Sequence, residues 1–460
     1  MAKGNTLTRP TLEGGPSGPL PSRPDFTPAG RGESYTPRPI SSTVDLFAAI
    51  DVGTTKICTV LARKLGANGL EVIDYAIVPS HGLKKGNVTD TSATEAAIRQ
   101  CVLDLEKRTG YRIKSAFVGV TGSHVDFENR RDRLEPASGG RVITQKDMYR
   151  TPEAATEAVS DPGRRLIHAI RISYALDGET GIRNPVGMHS REVEVETHMV
   201  TGAAAFLNRL QQTVEAAGVK VASLVLEPLA SALAVLTPEE KERGAILVDI
   251  GGGTTDVVVF KNGAIYYSGV IPVGGYQFTN DIALTFNTTY EAAEVAKVKY
   301  ANVDVQASAL AGDEPVSLPI VGRGAELKVQ RMEICQLARE RAMELTRLLK
   351  LMLEDDRMGD PSNHRIVLTG GASNMSGFAA LVQRGLGISV RQGMPTVRGV
   401  MPPELRAPAY STVLGMLQWA MTDYHPVTAK DIKAEVEDSS RKGGSFFSAI
   451  IKKLSFFGRK

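Results

Sequence analysis

Cysteine is scarce in this 460-residue chain, which contains Cys58, Cys101 and Cys335. The number is odd and no two of them have C-x-x-C spacing, so the sequence predicts neither a disulfide framework nor a zinc site. We therefore expect a reducing compartment such as the cytosol.

Long apolar runs and a strong charge imbalance are also missing. The sequence has no stretch of about 18 consecutive apolar residues and no apolar signal region at its start, so we expect it neither to span a membrane nor to be exported. The formal net charge is +3, which argues against a broad nucleic-acid footprint. At 460 residues the chain exceeds what one core usually supports, so two or more folded units are expected.

The two best-known phosphate-binding loops are absent as well. The chain contains no G-x-x-x-x-G-K-[ST] motif, and Asp256 stands where the third glycine of G-x-G-x-x-G would be. A P-loop or Rossmann enzyme is therefore not expected.

What the chain does contain is a pair of similar glycine-threonine hairpins in separate halves of the sequence. Each runs from an apolar strand through an acid, glycines and a Thr-Thr pair into a second strand. The first contains Asp51, Gly53, Thr54, Thr55 and Lys56, and the second contains Asp249, Gly251, Gly252, Gly253, Thr254, Thr255 and Asp256.

These residue types suit a phosphate chain with a metal ion. Glycine lets backbone N–H groups approach phosphate closely, threonine adds hydroxyl donors, and each Asp can hold a hydrated divalent cation. One such hairpin could be an ordinary turn between buried strands. Because the hairpin is duplicated, the sequence predicts a metal-bound nucleotide in a cleft between two related half-domains.

The remaining pattern alternates strands with helices. Strands are predicted at 46–51, 56–64, 70–78, 115–120, 221–226 and 365–368, and helices after a cap at Asp90, at 205–217, from 279, at 291–300 and at 332–353. Short strands at 165–174 and 193–200 lie among arginine-rich loops, which indicates a small insertion. Residues 1–42 are rich in Pro, Gly, Ser and Thr and are predicted to be a disordered arm.

The C-terminal segment has an amphipathic pattern that follows a polar linker. One helical face carries the apolar residues Phe446, Phe447, Ile450, Ile451, Leu454 and Phe457, while Lys452 and Lys453 lie mostly opposite. At 1.5 Å per residue this face is about 18 Å long, too short to span a bilayer, so we predict that it lies in the membrane interface. The alternative is a terminal helix that docks on its own core.

Five segments together resemble the ATPase superfamily of actin, the heat-shock chaperones and the sugar kinases: residues 51–56, 227–236, 249–256, 367–377 and 408–417. Within that superfamily, residues 43–425 resemble the FtsA family of bacterial cell-division proteins. The sharpest matches are at 168–178, 181–188 and 273–283. The resemblance implies an α/β, actin-like (ribonuclease H-like), two-lobed ATPase fold with a small α+β subdomain inserted in the first lobe.

The resemblance also implies a division of the chain. The first lobe would comprise 43–126, 207–243 and a closing helix within 405–425, with the inserted subdomain at 127–206. The second lobe would comprise core segments at 244–286 and 355–404, with an outer subdomain at 287–354. A linker at 426–442 would lead to the membrane helix at 443–460.

Site roles follow residue by residue from the same resemblance. Asp51 and Asp249 would hold the hydrated magnesium, Glu227 would orient the attacking water, and Lys56 would place a charge on the phosphates. Gly274 and Gly275 would approach the phosphates, Glu294 and Lys297 would reach the ribose or adenine, and Gly370 and Gly371 would bracket the base. Family members often have a glycine where this chain has Ala372, and the added methyl group is expected to tilt or weaken adenine binding without abolishing it.

Each of these roles has a structural alternative. Glu227 before Pro228 could simply begin a helix, and Lys56 could be a lysine at a strand edge. Glu294 and Lys297 could form the solvated face of a helix.

The function implied is that of an ATP- and Mg²⁺-binding protein that polymerises head to tail on the cytoplasmic face of the membrane and tethers FtsZ at the division septum. Implied partners are the FtsZ C-terminal tail, other copies of the chain, anionic lipid and later division proteins, and no nucleic acid. ATP is expected to bias polymerisation and lobe closure more than to drive rapid turnover. A pilus-assembly adaptor of the PilM type and a small-molecule kinase of the same superfamily are the alternatives.

Two surfaces are expected to carry the protein contacts. The outer subdomain at 287–354 would meet the acidic FtsZ tail through its basic residues, which are Arg323, Lys328, Arg331, Arg339, Arg341 and Arg347. The inserted subdomain would mediate contacts between subunits or with late division partners.

Overall fold

A computed structural model describes residues 46–66, 69–134, 140–144, 161–304, 313–355, 357–358 and 364–421. This part of the chain forms two compact units, the first made of residues 46–127 and 201–421 and the second of residues 128–200. The predicted N-terminal arm, the linker and the membrane helix lie outside the described residues.

The strands follow the chain in this order. The first twelve are β1 (Leu46–Val52), β2 (Lys56–Leu65), β3 (Gly69–Pro79), β4 (Leu83–Lys84), β5 (Asn87–Val88), β6 (Ser115–Val120), β7 (Val125–Leu134), β8 (Arg141–Val142), β9 (Arg164–Leu176), β10 (Glu179–Ile182), β11 (His189–Ser190) and β12 (Val193–Ala203). The others are β13 (Lys220–Leu226), β14 (Ala245–Ile250), β15 (Thr255–Lys261), β16 (Ala264–Ile271), β17 (Pro315–Pro319), β18 (Glu326–Gln330), β19 (Arg365–Thr369), β20 (Val390–Gln392) and β21 (Gly399–Val400).

The α-helices are α1 (Thr91–Thr109), α2 (Ala204–Ala216), α3 (Glu227–Val235), α4 (Pro238–Arg243), α5 (Gly275–Thr285), α6 (Tyr290–Tyr300), α7 (Arg331–Leu353), α8 (Phe378–Leu386) and α9 (Ser411–Trp419). Short 3-10 helices occupy Gly371–Asn374, Pro403–Arg406 and Pro408–Tyr410.

The first unit is built on two sheets with the same internal arrangement. One has the order β13-β6-β1-β2-β3-β21 and the other β16-β15-β14-β19-β20. In each, three consecutive antiparallel strands are extended by two parallel strands that come later in the chain. The duplicated hairpins β1–β2 and β14–β15 therefore occupy equivalent places, as the repeated sequence pattern predicts.

Helices α3 and α9 pack tightly against each other next to both sheets. α3 contacts β14 and β15, while α9 contacts β1, β2 and β6. Gly415 of α9 lies so close to the carbonyl oxygen of Ala230 that an added Cβ would overlap it. Glycine and alanine at this crossing let two helix backbones approach, and the side chains of both helices are largely buried.

The second unit holds a four-stranded sheet of order β10-β9-β12-β7 and the small pair β11-β8. Its core consists of Ile143, Tyr174, Leu176, Val193 and Val195, with Leu134 and Ile182 packed against them. The strands expected among the arginine-rich loops are confirmed, and they are longer than predicted.

Most predicted elements agree with the structure to within one or two residues, and Asp90 caps α1 by accepting the amide of Ala93 at 3.0 Å. The predicted helix start at 279 is wrong, because α5 begins at Gly275. Glycine is a poor helix former. Here, however, the amides of Gly275 and Tyr276 donate to the carbonyls of Gly251 (2.9 Å) and Gly252 (2.7 Å), so contacts distant in sequence start the helix early.

Among the described residues, no helix combines the length and the apolar character needed to cross a bilayer.

Two buried histidines give the second unit a predictable acid sensitivity. Burial lowers the pKa of His168 to about 3 and, together with the charge of His168, that of His198 to about 3. In the unfolded chain each histidine binds a proton near pH 6.5, whereas in the folded chain it stays neutral until about pH 3. The free energy of unfolding should therefore be highest above pH 6.5. Between pH 6.5 and about pH 3 it should fall by about 1.4 kcal/mol per pH unit for each histidine.

We therefore expect hydrogen exchange in β9 and β12 to accelerate as the pH falls from 7 to 5, after correction for intrinsic exchange. A His198→Gln variant removes one of the two titrating groups and should show about half the pH slope, whatever its absolute stability. An unchanged slope in that variant would contradict the assignment.

Candidate functional site

The two hairpins place acids at matching positions. Asp51 lies opposite Cys58 across β1 and β2, and Asp249 lies opposite Asp256 across β14 and β15. All four side chains are buried. The second hairpin thus contributes two carboxyl groups. The sequence motif includes Asp256 but assigns no role to its side chain.

The sequence pattern aligns the two Thr-Thr pairs, but the hydrogen bonds within the two turns align different residues. The amide of Gly53 donates to the carbonyl of Lys56 at 3.1 Å, and that of Gly251 donates to the carbonyl of Thr254 at 2.9 Å. Lys56 is therefore equivalent to Thr254. Thr54 and Thr55 correspond to Gly252 and Gly253, so the apparent Thr-Thr match is offset by two residues.

This offset lets the turns fit together face to face. An added Cβ on Gly252 would overlap the hydroxyl of Thr55, and one on Gly253 would overlap that of Thr54. The hydroxyls of the first hairpin therefore lie directly over the bare backbone of the second. Both turns can therefore contact the same small ligand group.

Gly274 and Gly275 belong to this arrangement through their backbone. A Cβ on Gly274 would lie 2.8 Å from both the carbonyl oxygen of Gly251 and the amide of Thr254. The amide of Gly275 is already donated to Gly251. The structure thus brings both glycines against the second turn.

Four carboxyl groups share one electrostatic environment. Burial is the main cause that raises the pKa of Asp51 to about 6 and of Asp256 to about 7, and it also raises the pKa of Asp249 and, strongly, that of Glu227. The charges of the other three acids raise the pKa of Glu227 further. Burial in this environment therefore disfavours the charged form of all four acids.

Hydroxyl groups from other elements fix the orientation of these acids. Oδ2 of Asp249 accepts hydrogen bonds from Ser231 of α3 and, at 3.3 Å, from Thr412 of α9. Asp256 accepts from Thr121 and, at 3.0 Å, from Thr254. Sequence reasoning missed Ser231, Thr412 and Thr121, because a lone hydroxyl residue in a helix or after a strand gives no pattern.

Lys56 has partners within the protein. Its Nζ donates to the carbonyl of Ala409 at 2.7 Å and lies 4.0 Å from the ring centre of Tyr410. Its positive charge still acts on Asp51 and Asp249, since it lowers the pKa of both. Lys56 is therefore not a solvent-exposed lysine at a strand edge, because burial also lowers its own pKa.

Glu294 and Lys297 also form more than a solvated helix face. Lys297 Nζ donates to Glu294 at 2.7 Å and to the hydroxyl of Thr279 at 2.9 Å, and its side chain is only 10% exposed. The hydroxyl of Thr279 in turn donates to Glu294. This network links α6 to the start of α5.

Gly370 and Gly371 follow β19 beside the acids. Gly370 has φ +85°, and an added Cβ would overlap Oδ1 of Asp249 and approach the carbonyl oxygen of Ile250 to 2.5 Å. The methyl group of Ala372 lies 3.5 Å from where a Cβ on Gly275 would be. The segment after β19 therefore meets both the acids and the start of α5.

The donor set fits a hydrated divalent ion. In the described part of the chain, no three His, Cys, Asp or Glu side chains are arranged to hold a metal ion directly. Burial keeps the pKa values of Asp51 and Asp249 raised in spite of Lys56, and a bound divalent cation would favour their charged forms. Asp51 and Asp249 could hold such an ion through its water ligands.

Comparison with known proteins agrees with this architecture. A family model described as "Cell division protein FtsA" matches residues 246–415, and one described as "SHS2 domain inserted in FTSA" matches residues 122–201. The cell division protein FtsA of Pseudomonas aeruginosa is 35% identical over 82% of this chain and 89% of its own length. The Escherichia coli K12 protein is 30% identical over 90% of this chain and 98% of its own length.

The chain belongs to the FtsA family of cell-division proteins.

The fold prediction is confirmed together with the family. A solved PilM-PilN type IV pilus biogenesis complex is similar to this FtsA-family chain with a TM-score of 0.58, 19% sequence identity, and coverage of 82% of this chain and 98% of that one. This likeness shows the shared fold alone. The actin-like α/β architecture and the SHS2 insertion follow from the two comparisons together.

Gly370 offers a sharp test of the site geometry in this FtsA-family protein. Gly370→Ala would force a side chain into the left-handed region and against Asp249, so we expect a loss of about 2 kcal/mol or more in unfolding free energy. Gly371→Ala is the matched control, since its added Cβ meets only Ala409 Cβ at 3.6 Å. Equal stability of the two variants in urea unfolding would contradict the packing described.

Proposed function

We propose that this FtsA-family protein binds ATP with magnesium between its two hairpins. The observation that carries the proposal is the pair of facing turns with buried acids beside them. Backbone amides and threonine hydroxyls suit the phosphates, and the buried carboxyl groups suit a hydrated cation. The magnesium ion would neutralise charge on the phosphates.

The chain's own residues would then have separate tasks. Asp51 and Asp249 would orient the water ligands of the ion, with Asp249 itself held by Ser231 and Thr412. Glu227 would orient a water molecule. Glu294 and Lys297 would face the ribose or adenine beside Ala372. Turnover would be slow, and nucleotide would act mainly on the packing of the two sheets through α3 and α9.

We further propose that the protein polymerises on the cytoplasmic face of the membrane and tethers FtsZ at the division septum. Support comes from family membership and from the amphipathic face at 443–460. Three basic residues of the outer subdomain already bond within the protein. Arg331 donates to the carbonyl of Tyr300, and Arg339 donates to the carbonyl of Val303. Arg341 donates to the carboxylate of Asp281. Arg323 and Lys328 are exposed on the β17–β18 hairpin and suit the acidic FtsZ tail better.

A PilM-type adaptor is the second candidate, because the PilM-PilN complex shares the fold. Such an adaptor would have no reason to recruit FtsZ to lipid. If the protein tethers FtsZ, the SHS2 insertion would mediate contacts between subunits or with late division proteins.

Removing either magnesium-orienting acid should weaken nucleotide binding. We expect Asp51→Ala and Asp249→Ala each to lower the affinity for magnesium-ATP at least about tenfold in calorimetry, which corresponds to about 1.4 kcal/mol. Asp104→Ala, on the outer face of α1, is the control and should bind normally. Unchanged affinity in both site variants would refute the assignment.

Tethering is tested by co-sedimentation with vesicles. The full chain should bring purified FtsZ to vesicles that contain anionic lipid, and a chain ending at residue 442 should not. Arg323→Glu with Lys328→Glu should keep lipid binding and lose FtsZ. Filaments on the vesicles, seen by electron microscopy, would report self-assembly. FtsZ recruitment by the shortened chain would contradict the proposal.

A further inference from the structure

A basic surface lies at one end of the first sheet, opposite the acids. It consists of Lys107 in the last turn of α1, Arg112 and Lys114 in the loop before β6, and Lys220 at the start of β13. All four are exposed, and none of them has an ion-pair partner within the described ranges. We call these residues the basic end.

Strand pairing brings the four residues together. Lys220 pairs with Ser115 at the start of the parallel strands β13 and β6, and its amide donates to the carbonyl of Lys114 at 3.0 Å. Two carboxylates lie near them: Glu106, which accepts the amide of Ile113 at 2.6 Å, and Glu215, which accepts from Gln211 at 3.0 Å. These neutral donors leave both negative charges in place. Four cations against two acids still give the surface a net positive charge.

The first described strand begins, and the last described helix ends, at this same end of the first sheet. β1 is parallel to β6 with Ala49 beside Phe117, so Leu46 lies level with Lys114. α9 begins beside the acids, where Thr412 bonds to Asp249. It ends with Gln418 donating to the carbonyl of Thr396 at 2.7 Å.

Thr396 in turn marks the end of the sheet. The amide of Leu70, at the start of β3, donates to the carbonyl of Arg398 at 2.8 Å. β3 starts at the same end as β1, since both run antiparallel to β2. The last described residues of the chain, which lead toward 443–460, thus lie at the end of the sheet that bears the basic residues.

We propose that the basic end is a second membrane contact, which rests on anionic lipid headgroups while the 443–460 segment inserts. The inference rests on the proposed tethering function and adds an orientation to it. The first sheet would stand with its basic end toward the bilayer and its nucleotide-binding end away from it. Lysine and arginine near an anionic surface each add electrostatic attraction that falls off within a Debye length, about 8 Å at physiological salt.

The test compares two charge reversals in the full chain. Lys114→Glu with Lys220→Glu changes the basic end, and Lys84→Glu with Lys85→Glu makes the same charge change near the first hairpin, where Gly86 bonds to Thr54. We expect the first variant to bind vesicles containing phosphatidylglycerol at least about fivefold more weakly than wild type, and the control to change less than about twofold. On phosphatidylcholine vesicles neither variant should differ from wild type in binding. On phosphatidylglycerol vesicles high salt should remove the difference between the first variant and wild type.

Circular dichroism would establish that both variants fold, and Lys107→Gln with Arg112→Gln gives a milder second test of the basic end. Equal weakening in the two charge reversals, or no weakening in either, overturns the orientation. Tighter lipid binding by the Lys114→Glu, Lys220→Glu variant would show that the basic end holds the chain's own acidic tether residues, such as Glu435 and Glu437, and would also overturn it. Absence of wild-type binding to any vesicle would instead refute the tether itself.

Discussion

The burial of four carboxyl groups beside the two hairpins is the most demanding electrostatic feature of this structure. Asp51, Asp249, Asp256 and Glu227 are brought together by elements that pack for other reasons, and burial raises the pKa of each. Burying charge without compensation is costly. Burial therefore favours the protonated form of each acid, and the charge of Lys56 opposes that effect at Asp51 and Asp249.

Hydroxyl groups and glycines make that arrangement specific. Ser231 and Thr412 reach Asp249 from two different helices, so its orientation depends on how α3 and α9 pack. Gly415 permits that packing because it brings its backbone against Ala230. A change in the crossing of these helices would move the hydroxyls that hold Asp249. The helix pair thus joins the hydroxyl groups that hold Asp249 to both sheets.

Sequence patterns predicted the elements well wherever a local rule decided them. Asp90 caps α1 as its side-chain chemistry predicts, and β6 begins and ends where its apolar run does. The start of α5 at Gly275 was missed, since it depends on carbonyls of a turn more than twenty residues earlier. The offset of the two Thr-Thr pairs was missed for a similar reason, because strand register is a property of pairing and not of composition.

The two-lobed α/β architecture, the family and the positions of the hairpin acids could be predicted from the residues alone, because the duplicated pattern lies in consecutive residues. The hydroxyl groups that hold those acids could not, nor could the bond from Lys56 to Ala409 or the network of Glu294, Lys297 and Thr279. These contacts join residues far apart in the chain. Their partners are selected by the packing of sheets and helices, which no local pattern encodes.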